Sequence, residues 1–76
     1  MNAEHLVRMA NDIGGFFGGE PKPEDAVAGV LNHLRKFWDP RMRRQIVAHV
    51  QNGGAGLAEP ALSAVLALAR ELPRKS

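Results

Sequence analysis

The chain has 76 residues, of which ten are Lys or Arg and eight are Asp or Glu, so its formal net charge is only +2. A chain of this length forms one domain at most, and such a domain buries only about 60% of the surface that its unfolded form exposes. Because the sequence contains no Cys, disulfides and thiolate metal sites are excluded, and we expect this small domain to be reinforced by another chain.

Apolar residues at helical spacing predict four helices and no strand, which indicates a small, compact all-α bundle of three to four helices over residues 1–76. The first helix is predicted over residues 3–17. Its apolar face consists of Leu6, Met9, Ala10, Ile13, Phe16 and Phe17. Gly18, Gly19 and Pro21 end this helix, since glycine releases the backbone and proline cannot continue a helix.

A second helix is predicted over residues 23–38, with Pro23 in its first turn. Its apolar stripe, which we expect to be the best buried in the molecule, consists of Val27, Val30, Leu31, Leu34, Phe37 and Trp38. Asp39 is a typical N-cap, and Pro40 is the expected first residue of a third helix over residues 40–52. Because the residue before a proline is pushed out of the α region, the two helices should meet at a sharp corner.

The fourth helix is predicted over residues 59–72, and residues 73–76 form a polar tail. The expected core stripe of this helix consists of Leu62, Val65, Leu66, Ala69 and Leu72. Leu57 and Leu68 widen the apolar surface beyond what a small bundle needs. Such residues more often complete a core than form an interface, but the absence of a disulfide or metal site also favours a protein interface on the fourth helix.

Positive charge is concentrated at the corner between helices two and three. Residues 33–44 carry five basic side chains and one acidic side chain, whereas the rest of the chain carries five basic and seven acidic ones. We predict that this patch binds a partner protein, with Trp38 as the apolar anchor and the cations steering an acidic surface onto it. The predicted partner-binding residues are Arg35, Lys36, Trp38, Arg41, Arg43 and Arg44.

Arg43 differs from the other cations of the patch. With about 100° between successive residues of a helix, it falls among the apolar residues of helix three, whereas Arg41 and Arg44 point away. A charge on an apolar face must be paired or lie at its edge. Two interpretations follow: Arg43 forms an internal ion pair, or it anchors a partner chain.

The sequence offers no catalytic, cofactor-binding or metal-binding residues. It has no Cys, Tyr or Thr, and its only hydroxyl side chains are Ser63 and Ser76. His5, His33 and His49 lack the short spacings of a helical metal site. Without a basic leader or an apolar run of about 20 residues, the sequence predicts a soluble, cytoplasmic, non-catalytic protein that needs no cofactor and has no membrane partner.

Two alternatives to a protein-binding subunit remain open at this point. The arginine-bearing corner loosely resembles a helix-turn-helix, so a small basic nucleic-acid-binding module is the second hypothesis. The low net charge and the lack of base-reading amides other than Gln45 argue against nucleic acid as the natural partner. A homo-oligomeric structural protein is the third hypothesis.

Two segments resemble a known family. They are Leu6-Val-Arg-Met-Ala-Asn-Asp-Ile13, followed by two Phe, and His33-Leu-Arg-Lys-Phe-Trp-Asp-Pro-Arg-Met-Arg-Arg-Gln-Ile46. Over residues 6–68 the chain resembles the delta subunit of cytoplasmic, NAD-dependent, molybdenum-containing formate dehydrogenases. The resemblance implies an accessory subunit that binds formate dehydrogenase subunits, with the catalytic alpha chain as the expected partner, or that aids their assembly. Formate oxidation, molybdopterin, iron-sulfur clusters, flavin and NAD would then belong to other chains.

Overall fold

The computed structural model describes residues 2–71, which form four α-helices and no strand. The helices are α1 (Ala3–Phe17), α2 (Pro23–Phe37), α3 (Pro40–Gln51) and α4 (Ala61–Glu71). The predicted all-α fold is confirmed, and the bounds of α1 agree with the prediction. The other helices differ by one or two residues at one end, which is the usual uncertainty of a helix terminus. Leu72 and the predicted tail 73–76 lie outside the described residues.

Side-chain caps fix where three of the helices begin. Asn2 accepts a hydrogen bond from the backbone N–H of His5 at 2.8 Å, and Asp39 accepts one from Met42 at 2.9 Å. The predicted N-cap at Asp39 is thereby confirmed, and a cap of this kind contributes about 1 kcal/mol of stability. At the start of α4, the carboxylate of Glu59 accepts from the backbone N–H of Ser63 at 3.1 Å. The helix therefore begins at Ala61 rather than at Glu59.

All four helices contribute to one core, and α4 packs against each of the other three. The largest fully buried side chains are Leu6, Val30, Leu34, Ile46, Val65 and Leu68. Leu68 is only 2% exposed, so of its two sequence interpretations the structure supports completion of the core and not a place at a protein interface. The buried face of α4 is formed instead by Ala61, Ala64, Val65 and Leu68, while Leu66 of the predicted stripe is exposed.

Small residues let α1 and α4 approach each other closely. A Cβ atom placed on Gly14, which is buried, would lie 3.4 Å from the Cβ of Ala61. Beside this contact, the amide of Asn11 donates to the carbonyl of Gly56 at 2.9 Å and accepts from the backbone N–H of Ala58 at 3.0 Å. The loop between α3 and α4 is therefore fastened to the side of α1.

The loop itself depends on glycine. Gly53, Gly54 and Gly56 have φ values of 114°, 67° and 88°, a region that other residues rarely adopt. The N–H of Gly54 donates to the carbonyl of His49 at 3.0 Å, which closes the end of α3. None of the described helices has both the length and the apolar character that crossing a membrane requires.

Candidate protein-binding surface

The corner between α2 and α3 separates two neighbouring aromatic side chains. Trp38 and Asp39 have extended backbone angles (ψ 137° and 165°), as expected for the residues that end one helix and cap the next before Pro40. This turn directs the ring of Trp38 into the core, where it is 4% exposed, and leaves Phe37 70% exposed. Phe37 was predicted in the buried stripe of helix two, and that prediction is wrong.

Trp38 was also predicted as the apolar anchor for a partner. In the structure its ring belongs to the core cluster, because the extended backbone at the end of α2 turns it inward. The exposed aromatic side chain of this corner is Phe37. Its ring packs on that of His33, with 4.7 Å between the centroids and 43° between the planes. A core position was predicted for Phe37 because it lies at helical spacing from Val30 and Leu34.

Arg35 of the predicted set lies in an ion pair that joins the ends of α2 and α4. Its Nε donates to one carboxylate oxygen of Glu71 at 3.0 Å, and its Nη2 contacts the other oxygen. This bidentate geometry is the one that a planar guanidinium favours with a carboxylate. The hydrogen bond with Glu71 raises the pKa of Arg35, and the same bond lowers the pKa of Glu71 below its ordinary value.

The lowered pKa of Glu71 predicts how this ion pair responds to pH. Its contribution to stability is fully present above the pKa of glutamate in the unfolded chain, about 4.3, and is lost as the pH falls through the lower pKa of the folded state. We expect Glu71→Gln to have a lower urea midpoint than the unsubstituted chain at neutral pH. At roughly pH 3 and below, the difference should shrink toward zero. An equal difference at both pH values would contradict an ionic role for this contact.

Arg43 has an internal role that neither sequence interpretation described. Its Nη1 donates to the backbone carbonyl of Arg35 at 3.1 Å and to that of Trp38. The last carbonyls of a helix lack partners within the helix and lie at the negative end of its dipole. Within residues 2–71, Arg43 therefore donates to backbone carbonyls at the end of α2. The ion pair of this corner is formed by Arg35 with Glu71.

Three cations of the predicted set remain on the surface. Lys36, Arg41 and Arg44 are exposed and form no hydrogen bond or ion pair with the described residues 2–71. Lys36 lies in the last turn of α2, where a cation complements the helix dipole. Arg41 and Arg44 lie near the start of α3, on the side opposite its buried residues. Their binding role, like that of the whole predicted set, stays a prediction.

The groups that could support metal or acid-base chemistry do not converge at this corner. Within the described part of the chain, no three His, Asp or Glu side chains lie close enough to hold a metal ion. His49, on α3, lies with its Nε2 2.8 Å from the carbonyl of Ala55 and thereby braces the following loop. The exposed side chains of this corner include the ring of Phe37, three cations without a partner among residues 2–71, the capping carboxylate of Asp39 and the Arg35–Glu71 ion pair.

The opposite end of the bundle presents a different surface. An open cleft of about 400 Å³ lies between the end of α1 and the starts of α2 and α4. Its lining includes Gly18, Glu20, Pro23, Val27, Glu59 and Pro60. Phe16, in the last turn of α1, is 82% exposed and contacts the ring of Phe17 edge to face. This end carries an exposed ring as well, and its charged groups include the carboxylates of Glu20 and Glu59 and the exposed Lys22.

Comparison with known proteins gives one match. A family model described as the NADH-dependent formate dehydrogenase delta subunit FdsD matches residues 5–65 of the 76-residue chain. The matched region includes all of α2 and α3, with the corner between them, and α1 from its third residue onward. No curated protein matches the chain. No solved structure matches it either.

Proposed function

We propose a non-catalytic, protein-binding role for this chain, which belongs to the family of NADH-dependent formate dehydrogenase delta subunits. In this proposal it binds the formate dehydrogenase complex and aids its assembly, its stability or the maturation of its cofactors. The catalytic alpha chain is the partner that we expect. The family match over residues 5–65 is the observation that carries the proposal.

The surface of the chain supports binding to another protein. Two phenylalanine side chains are more than two thirds exposed, although a domain this small needs its aromatic residues for its own core. Aromatic side chains, including Phe, and arginine are enriched in protein interfaces relative to the rest of the surface. Both types of side chain meet at the corner between α2 and α3, where Phe37 lies beside Lys36 and Arg41 follows.

The test is an affinity purification of the tagged full chain from the cells that produce it. We expect the formate dehydrogenase subunits to be recovered with it in a fixed ratio. In cells that lack the chain, we expect less intact formate dehydrogenase complex or a lower molybdenum content per catalytic chain. The activity of complex that has already been assembled should not need the chain for the chemical step.

Three results would contradict the proposal. Recovery of the chain alone from cells that contain the complex would favour self-association. Recovery of nucleic acid at physiological salt would favour a nucleic-acid module, since binding that uses only a few phosphate contacts weakens strongly as salt rises. A normal, fully loaded complex in cells without the chain would show that it serves no accessory role.

A further inference from the structure

We propose that the exposed ring of Phe37, together with Arg41 and Arg44, is the contact that recognises an acidic surface with an apolar socket on a formate dehydrogenase subunit. This inference rests on the proposed function and adds the binding surface and the chemistry of the partner. It keeps only part of the predicted partner-binding set. Arg35, Trp38 and Arg43 are left out because their contacts stabilise the fold.

Arg41 and Arg44 form no hydrogen bond or ion pair with residues 2–71 that would stabilise the free chain. α3 has no acidic residue in its first turn, and Arg41 is its second residue. The start of a helix is the positive end of its dipole, so a cation there is unfavourable by itself. Arg41 and Arg44 are also three residues apart, which makes them neighbours of like charge on one face. An acidic surface brought against this face would offset both the interaction of Arg41 with the helix dipole and the repulsion between Arg41 and Arg44.

The other cations of the corner have a structural explanation. Arg35 pairs with Glu71, and Arg43 donates to the carbonyls at the end of α2. Lys36 lies in the last turn of α2, the end at which a cation is favourable. For Arg41 and Arg44, by contrast, the structure offers no such contact among residues 2–71. In this proposal, Arg41 and Arg44 bind carboxylates on the partner.

Phe37 supplies the apolar part of the contact. Its ring is 70% exposed, and the packing of His33 against it restricts its motion. A side chain that is already held in place loses little conformational entropy on binding, so it makes an efficient anchor. Lys36 precedes it in the chain, and α3, which carries Arg41 and Arg44, begins three residues after it at Pro40.

Charge decides between this end of the bundle and the other. Phe16 is even more exposed, at 82%, but it is followed by Gly18, Gly19 and the carboxylate of Glu20. The surface around Phe16 is therefore weakly acidic, and the two glycines add no side chains to it. At the α2–α3 corner, residues 33–44 carry five basic side chains and one acidic side chain, Asp39, so the exposed ring lies in a region of net positive charge. Such a region complements an acidic protein surface.

The experiment measures binding of the full chain to the purified formate dehydrogenase complex prepared without it. Phe37→Ala should weaken binding by about thirtyfold or more, as expected for the removal of an aromatic anchor. Phe16→Ala is the matched control, since it removes an equally exposed ring from the opposite end, and it should bind like the unsubstituted chain. Each variant should keep the melting temperature of the unsubstituted chain, because both rings lie mostly in solvent.

Arg41→Glu gives a second, independent readout. It should weaken binding by about tenfold and flatten its salt dependence, because an attractive charge becomes a repulsive one. The same change should raise the melting temperature of the isolated chain by about 2–4 °C, because a carboxylate suits the start of a helix. Arg8→Glu on the outer face of α1 changes the net charge equally and serves as its control. A merely structural role for Arg41 would not produce changes of opposite sign.

The outcomes separate the inference from the proposed function. If the unsubstituted chain does not bind the complex, the proposed function fails. If it binds and both Phe37→Ala and Arg41→Glu bind equally well, the function stands and this contact is wrong. Loss of binding in Phe16→Ala alone would place the interface at the opposite end. If sedimentation shows a self-associated chain that Phe37→Ala dissociates, with binding to the complex unchanged, the contact serves a second copy and the inference fails.

Discussion

Replacement of Trp38 by alanine is expected to unfold most of the isolated chain. The indole ring is 4% exposed and packs in the core cluster shared by all four helices. Removing a buried aromatic side chain of this size costs about 3–5 kcal/mol, and a core this small rarely supplies more than about 3–5 kcal/mol in total. The loss of helical signal in far-UV circular dichroism, followed during guanidinium unfolding, measures the effect.

Phe37→Ala is the matched control for this variant because it changes the preceding residue and also removes an aromatic ring. Since Phe37 is 70% exposed, its truncation should change the free energy of unfolding by no more than about 0.5 kcal/mol. Equal unfolding midpoints for Trp38→Ala and the unsubstituted chain would contradict the buried position of Trp38. That result would return Trp38 to the surface role that the sequence suggested.

Arg43→Ala is expected to destabilise the isolated chain by about 2 kcal/mol. The substitution removes a charged donor that holds two carbonyls at the end of α2, and hydrogen bonds to charged groups contribute about 1.5–3 kcal/mol. It also removes two hydrogen bonds that join α3 to the end of α2. The free energy of unfolding from a guanidinium titration gives the value.

Arg44→Ala is the control for Arg43→Ala, since it removes the same charge from the next residue. Arg44 is exposed and has no hydrogen bond or ion pair with residues 2–71, so its loss should leave stability within about 0.5 kcal/mol. Arg43→Lys should recover only part of the loss, because a single ammonium group reproduces the guanidinium geometry poorly. If Arg43→Ala unfolds at the same denaturant concentration as Arg44→Ala, the capping contact contributes nothing and Arg43 is available to a partner.

The fold class and the helix limits follow from local chemistry that the sequence displays directly. Proline cannot continue a helix, so α2 must end before Pro40. Asp39 can cap the next helix and Pro40 can begin it, so these two residues predict the corner between α2 and α3. Glycines at 53, 54 and 56 provide the positive φ angles that the loop after α3 needs. The concentration of positive charge at the corner is likewise a property of the sequence alone.

Which apolar side chains are buried depends on tertiary packing. α4 is apolar on most of its circumference, so periodicity alone does not select one face. The close approach of α1 through Gly14 selects the face with Ala61 and Ala64, and Leu68 follows them into the core while Leu66 turns outward. The same limit applies at the helix ends, where spacing places Phe16 and Phe37 on apolar faces but both side chains are exposed in the structure.

The roles of the individual cations also depended on tertiary structure. A sequence shows that Arg35, Arg41, Arg43 and Arg44 are close along the chain, but the acceptors of Arg35 and Arg43 are distant or belong to the backbone. Arg35 pairs with Glu71, which lies 36 residues away, and Arg43 reaches carbonyls that any residue type would carry. The sequence therefore determined where the charge is concentrated. Only the packing of α3 and α4 against the end of α2 decided which cations stabilise the fold and which face solvent.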